Sequence, residues 1–181
     1  MNIEGYLTQS KLASVTLSVT DAHDWIGTEL KIPNAISNRY RWDMGLILNG
    51  KQTYVEFGGS QHYCNANAIW RDHRKDKIVS DAGFEIIRIP YWVQLTTQTM
   101  NYYFGLDVEI QQDFPHGFID KKAEVPASFC EMGIKRFISE FDALPDNIKF
   151  DVAVSLENKA KTMDMSYVAP SEIVNLTQKS M

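Results

Sequence analysis

Asp43 and Glu56 are two carboxylates that the intervening sequence brings together, and a pair of facing carboxylates can hold a hard divalent cation. Between them, the runs 41–48 and 51–57 have strand character and are separated by Asn49-Gly50. That dipeptide suits a type I′ turn, because both central positions need positive φ. A two-residue turn fixes the register: Leu48 pairs with Lys51, and the pairing continued outward sets Asp43 opposite Glu56. Trp42, Met44, Leu46 and Leu48 then share an apolar face with Phe57, Val55 and Thr53. Asp43, Gly45, Tyr54, Glu56 and Gly58 fall on the other. Directly opposed side chains lie about 5 Å apart, so two ionised carboxylates there repel by roughly 3–4 kcal/mol at an effective dielectric near 20. Either one keeps a proton or a cation sits between them, and Mg²⁺ or Mn²⁺ fits two carboxylates plus waters. The competing reading is a solvated strand face, or a bulge that shifts the register.

The residues that follow add groups able to move protons and bind phosphate. Gly58 and Gly59 let another backbone approach closely, or simply end the strand. Gln61 and His62 come next. His62 is six residues past Glu56 across the Gly-Gly turn, close enough to fold back and shuttle a proton. The stretch 64–81 reads as a helix ending at Gly83. On it, Asp72, Lys75 and Asp76 stand at i, i+3 and i+4 and share one side, where Lys75 could reach a scissile phosphate. Tyr91 and Trp92 read as core residues.

These groups need a scaffold. The N-terminal thirty residues are mixed, but Thr20-Asp21 resembles a helix start, with Ala22, Trp25, Ile26 and Leu30 at helical spacing and Pro33-Asn34 closing the segment. Phe84–Pro90 reads as a compact buried strand and 93–104 as a helix stopped by Gly105. After Pro126, Phe129, Met132, Ile134, Phe137, Ile138 and Phe141 form an apolar stripe that ends at Pro145. A further helix is expected over 152–161. The order implies a single α/β domain over 1–164, with core motifs in 39–92 and a helical part in 93–164. Residues 165–181 are expected to form an arm or last helix. The 181 residues, 44% of them hydrophobic and 23% charged, describe an ordinary globular chain. No apolar run reaches membrane-spanning length, and 1–10 lacks the layout of a signal peptide. Cys64 and Cys130 read as reduced thiols of a cytoplasmic protein. The net charge of −5 argues at first against nucleic acid, yet Arg39, Arg41, Arg71, Arg74, Lys75 and Lys77 cluster beside the hairpin.

Asp43, the VEFGGSQHY segment, RDHRKDK and GFEIIRIPYW together resemble the PD-(D/E)XK nuclease superfamily. Within it they look most like the branch of very-short-patch repair endonucleases and EDxHD homing endonucleases. The resemblance covers about 50 residues of the chain. It implies a restriction-endonuclease-like core, a mixed sheet with helices on both faces. Asp43 and Glu56 would be metal ligands, joined by the main-chain carbonyl of Phe57, and His62 the general acid/base. An N-terminal glutamate would assist the metal, Glu29 before Glu4. Where the superfamily usually has lysine there is Gly58, so Gln61, His62 or Lys75 must supply the missing charge. Expected activity is Mg²⁺- or Mn²⁺-dependent endonucleolytic hydrolysis of DNA, with RNA as another substrate. Arg39, Arg41, Arg71, Arg74 and Lys77 would hold the strand. The rival is an inactive nuclease fold that binds nucleic acid or protein. The phenylalanines after residue 101 could pack inward or form a homodimer surface.

Overall fold

The computed structural model describes residues 1–3, 7–32, 39–112 and 127–180. Strand β1 (Asn2–Ile3) is followed by α1 (Gln9–Val19), β2 (Trp25–Leu30), β3 (Trp42–Leu48) and β4 (Lys51–Gly58). Then come α2 (Gln61–Cys64), α3 (Ala66–Asp81), β5 (Glu85–Pro90), α4 (Thr97–Phe104) and β6 (Gln111–Gln112). Helices α5 (Glu131–Asp142), α6 (Asp146–Ala160), α7 (Met165–Val168) and α8 (Ser171–Thr177) lead to a terminal 3₁₀ turn. The main sheet has the order β2-β3-β4-β5; β2 and β4 run antiparallel to β3, and β5 runs parallel to β4. This is the mixed α/β architecture expected. A second, two-strand sheet joins β1 to β6. Glu4, Pro33, Asn34 and Pro126 lie outside the described residues. Among the described residues no helix is long and apolar enough to cross a membrane.

Asn49 and Gly50 adopt φ of 51° and 75°, and the β3–β4 register runs from Leu48↔Lys51 to Met44↔Val55, as the turn chemistry dictates. Helices cover both faces of the sheet. Met44, Leu46, Val55 and Ile89 pack with Leu12 of α1 and Met100 of α4. Tyr54 and Val79 of α3 form the opposite layer, joined by Trp42, whose ring lies 5.4 Å from that of Tyr54. Trp42 therefore packs apart from Met44 and Leu46, and the face carrying Tyr54 and Glu56 is buried, not solvated.

The N-terminal expectation is corrected: Thr20 closes α1, and Trp25–Leu30 is a strand. Six residues of mixed apolar spacing fit either period, and pairing decides between them. Leu30 pairs with Trp42 and Thr28 with Met44, while Gly27 (φ 145°) and Glu29 (φ 51°) have no place in a right-handed helix. Gly45 lets Leu30 pack over β3, since a Cβ on it would sit 2.5 Å from Leu30 Cδ1 and push that side chain aside. Pro145 caps the start of α6, which begins at Asp146, earlier than 152. The helix expected over 93–104 starts only at Thr97, where Thr96 and Thr99 form a reciprocal cap; Gly105, at φ 67°, stops it. Phe137 and Phe141 pack inward on Trp92, in a cluster that also takes Val168, Ala169 and Ile173 from the C-terminal segment.

Candidate active site

The site is a row across the four strands. The β2–β3 register places Glu29 beside Asp43, the β3–β4 register carried one step past Met44↔Val55 places Asp43 beside Glu56, and Glu56 pairs with Arg88 on β5. At the end of the ladder the Phe57 N–H donates to Asp43 Oδ2 at 2.7 Å, so the carboxylate itself pins the strand where the metal pair is expected. Glu29 is exposed and accepts from Gln9 Nε2 at 3.2 Å. It comes from a strand instead of a helix, but it remains close enough for its charge to push the Asp43 pKa upward.

Glu56 is 2% exposed. Lys75 reaches in from α3 and donates to its Oε1, while the Lys75 ammonium lies 5.4 Å from the Trp42 ring centroid. Arg88 Nη1 is 3.7 Å from Glu56 Oε2. Burial raises the pKa of Glu56 above the ordinary carboxylate value despite Lys75, and the Asp43 charge adds to that rise. Burial also raises Asp43, against the Phe57 hydrogen bond and the charges of Lys75 and His62. Two neighbouring carboxylates thus both hold their protons more tightly than usual. Hard oxygens in this state fit a hydrated Mg²⁺ or Mn²⁺ bound by two protein ligands. They do not fit a closed cage: among the described residues no group of three or more His, Cys, Asp or Glu is gathered to hold a metal.

His62 folds back as its spacing allows, through a turn in which its N–H donates to Gly59 O at 3.0 Å. Its Nδ1 is 2.6 Å from Asp72 Oδ2. Burial works to raise Asp72, but the His62 hydrogen bond and the Arg88 and Arg136 cations overcome it and hold this carboxyl far below its ordinary range. An ionised Asp72 can only accept, so Nδ1 of His62 carries a proton and donates it to Asp72. Arg136 on α5 donates to Asp72 Oδ2 at 2.6 Å and to the His62 carbonyl at 3.3 Å; its Nε donates to Glu140 at 2.8 Å. Glu140 in turn accepts from the Tyr63 hydroxyl at 2.5 Å. Arg88 bonds Asp76 at 2.7 Å and 2.9 Å and lies 3.5 Å from Asp72 Oδ1.

Sequence reasoning placed Asp72 on the correct helix side but missed its role as the partner of His62. It missed Arg88, Arg136 and Glu140 altogether. Arg136 is 64 residues from Asp72, and no spacing signal links them. Gly58 borders the same network. A Cβ there would make ordinary contact, at 3.7 Å from the Ile89 carbonyl oxygen and the Tyr63 hydroxyl and 3.9 Å from Arg136 Nη2, so position 58 faces Tyr63 and Arg136. Gln61 is exposed on α2 and bonds none of these groups. Arg39, Arg41, Arg71 and Arg74 are exposed, and Lys77 is paired with Asp81 at 2.8 Å. Comparison of the chain with family models, with curated proteins and with solved structures returns no match.

Proposed function

We propose that this chain is a metal-dependent endodeoxyribonuclease with a PD-(D/E)XK-like, restriction-endonuclease-like core. The observation that carries the reading is the Lys75–Glu56 contact beside Asp43: a helix lysine stands at the carboxylate pair whose usual lysine position is Gly58. Asp43 and Glu56 would hold Mg²⁺ or Mn²⁺, with the Phe57 carbonyl as a third oxygen and Glu29 near enough to orient a metal-bound water. The metal, when bound, lowers the pKa of a coordinated water and neutralises charge building on the phosphate.

The protein groups divide the remaining work. Asp72 keeps the proton of His62 on Nδ1, which leaves Nε2 to take a proton from water or return one to the leaving oxygen. Lys75, which meets Glu56 here, would face the scissile phosphate, with Gln61 at the rim. Arg39, Arg41, Arg71, Arg74 and Lys77 supply contacts to the strand, giving weak and salt-sensitive binding without metal. The free thiols Cys64 and Cys130 favour a reducing, cytoplasmic setting.

The test is supercoiled plasmid incubated with Mg²⁺ or Mn²⁺. Wild type nicks it, and Glu56→Ala does not. One observation favours the rival, an inactive module that binds nucleic acid or protein: Lys75 already donates to Glu56, and Arg88 stands 3.7 Å from it, where a metal would have to bind. DNA binding without nicking in either metal would establish that rival. Faster cleavage of RNA than of DNA would move the substrate and leave the site intact.

A further inference from the structure

Helix α3 has two working faces, and the site uses one. Asp72 and Lys75 point into the buried network, whereas Trp70 is 59% exposed and belongs to no core cluster. Its ring meets His73 edge-on, at 6.3 Å between centroids and 73° between planes, which fixes its orientation without covering it. Trp70, Arg71, Arg74, Asn65 and Asn67 line a surface groove of about 590 Å³ that has no carboxylate in its wall. Neither guanidinium makes an ion pair with any described residue. The groove begins at Asn65, the cap of α3, three residues beyond His62.

A flat aromatic surface, two uncompensated cations and two amides match a polyanion that carries planar rings. A duplex meets such a groove only with phosphates, because its bases are stacked on each other. A single strand offers both backbone charge and an unstacked base, and base–aromatic stacking tolerates any sequence. We infer that the Trp70 groove binds an unpaired stretch of DNA next to the cleavage site, so the preferred substrate contains single-stranded nucleotides. The inference rests on the nuclease reading for its substrate, but the groove can be tested without cleavage.

The experiment is binding of oligothymidylate and of a duplex of equal length in EDTA, followed by tryptophan fluorescence. Trp42 and Trp92 are buried and Trp25 is half-buried, which leaves Trp70 as the exposed reporter. Wild type is expected to bind the single strand with quenching. Trp70→Ala should weaken that binding about tenfold, as loss of one base stack does, while Trp70→Phe retains most of it and duplex affinity changes less than about twofold. Equal single-strand affinity in wild type and Trp70→Ala overturns the inference. So does a wild type that nicks plasmid but binds duplex more tightly than single strand, and there the nuclease reading survives. Tighter binding of oligouridylate than oligothymidylate overturns the assignment to DNA. Trp70-dependent binding with no cleavage in any metal supports the groove and removes the nuclease.

Discussion

Two sets of carboxylates stand on either side of Lys75, and their pKa values shift in opposite directions although burial acts on both alike. Asp43 and Glu56, on the hairpin, are pushed to higher pKa because their cations do not offset desolvation and a neighbouring carboxylate, Glu29 for Asp43 and Asp43 for Glu56. Asp72, on α3, is pulled far down, because His62, Arg88 and Arg136 converge on it. The residue type is the same in both, and cation supply sets the difference. A carboxylate saturated by arginines holds the structure and aims a histidine, while an undercompensated pair is the one proposed to bind a metal.

The largest effect should come from breaking the saturated side. Asp72→Asn removes the buried carboxylate that His62, Arg88 and Arg136 share, leaving Arg136 with Glu140 and Arg88 with Asp76 and Glu56, and should cost up to about 3–5 kcal/mol in denaturant unfolding. If that cost is below about 1 kcal/mol, Asp72 is not the anchor described here. Next is Gly133→Ala on α5. A Cβ at Gly133 would fall 1.7 Å from the Tyr63 carbonyl oxygen, so α5 must move away from α2 and carry Arg136 with it. A loss of about 1–3 kcal/mol is expected, together with weaker metal-dependent cleavage.

Protonation separates the two sets further. The folded protein binds protons to Asp43 and Glu56 more tightly than the unfolded chain does. Without metal, these groups therefore lend stability as pH falls through their raised values and withdraw it as pH rises. Asp72 acts with the opposite sign: its contribution is present above the ordinary carboxylate value and is lost only as pH falls through its own depressed one. Calorimetric titration with Mg²⁺ should accordingly release protons. Affinity should rise with pH just above the ordinary carboxylate range, by up to about tenfold per pH unit for each proton displaced. A pH-independent affinity there would remove Asp43 and Glu56 as ligands. The smallest stability change is expected for Asp43→Asn, whose amide oxygen can still accept from the Phe57 N–H. Its unfolding free energy should stay within about 1 kcal/mol of wild type while Mg²⁺ binding disappears.

The hairpin was legible because it is local. Asn49-Gly50 determines the register, and the register determines which residues face each other, so Asp43 and Glu56 could be paired from sequence alone. Lys75 could be placed on the same helix side as Asp72 by the helical period. The N-terminal strand was not legible, since Trp25–Leu30 becomes extended only by pairing with β3, and its apolar spacing fits a helix as well. The cover over the hairpin's polar face was not legible for a related reason: what covers Tyr54 is α3, and no feature of the strands announces it.

The sequence by itself therefore determined the paired carboxylates, the histidine behind them and the basic helix, all of which follow from turn chemistry and periodicity within about forty residues. Only the tertiary structure decided which cation meets Glu56, which carboxylate holds His62 and which face of α3 remains open. Those outcomes depend on where α3 and α5 pack against the sheet and against each other. Packing of distant elements, unlike a two-residue turn, leaves no local spacing for the sequence to display.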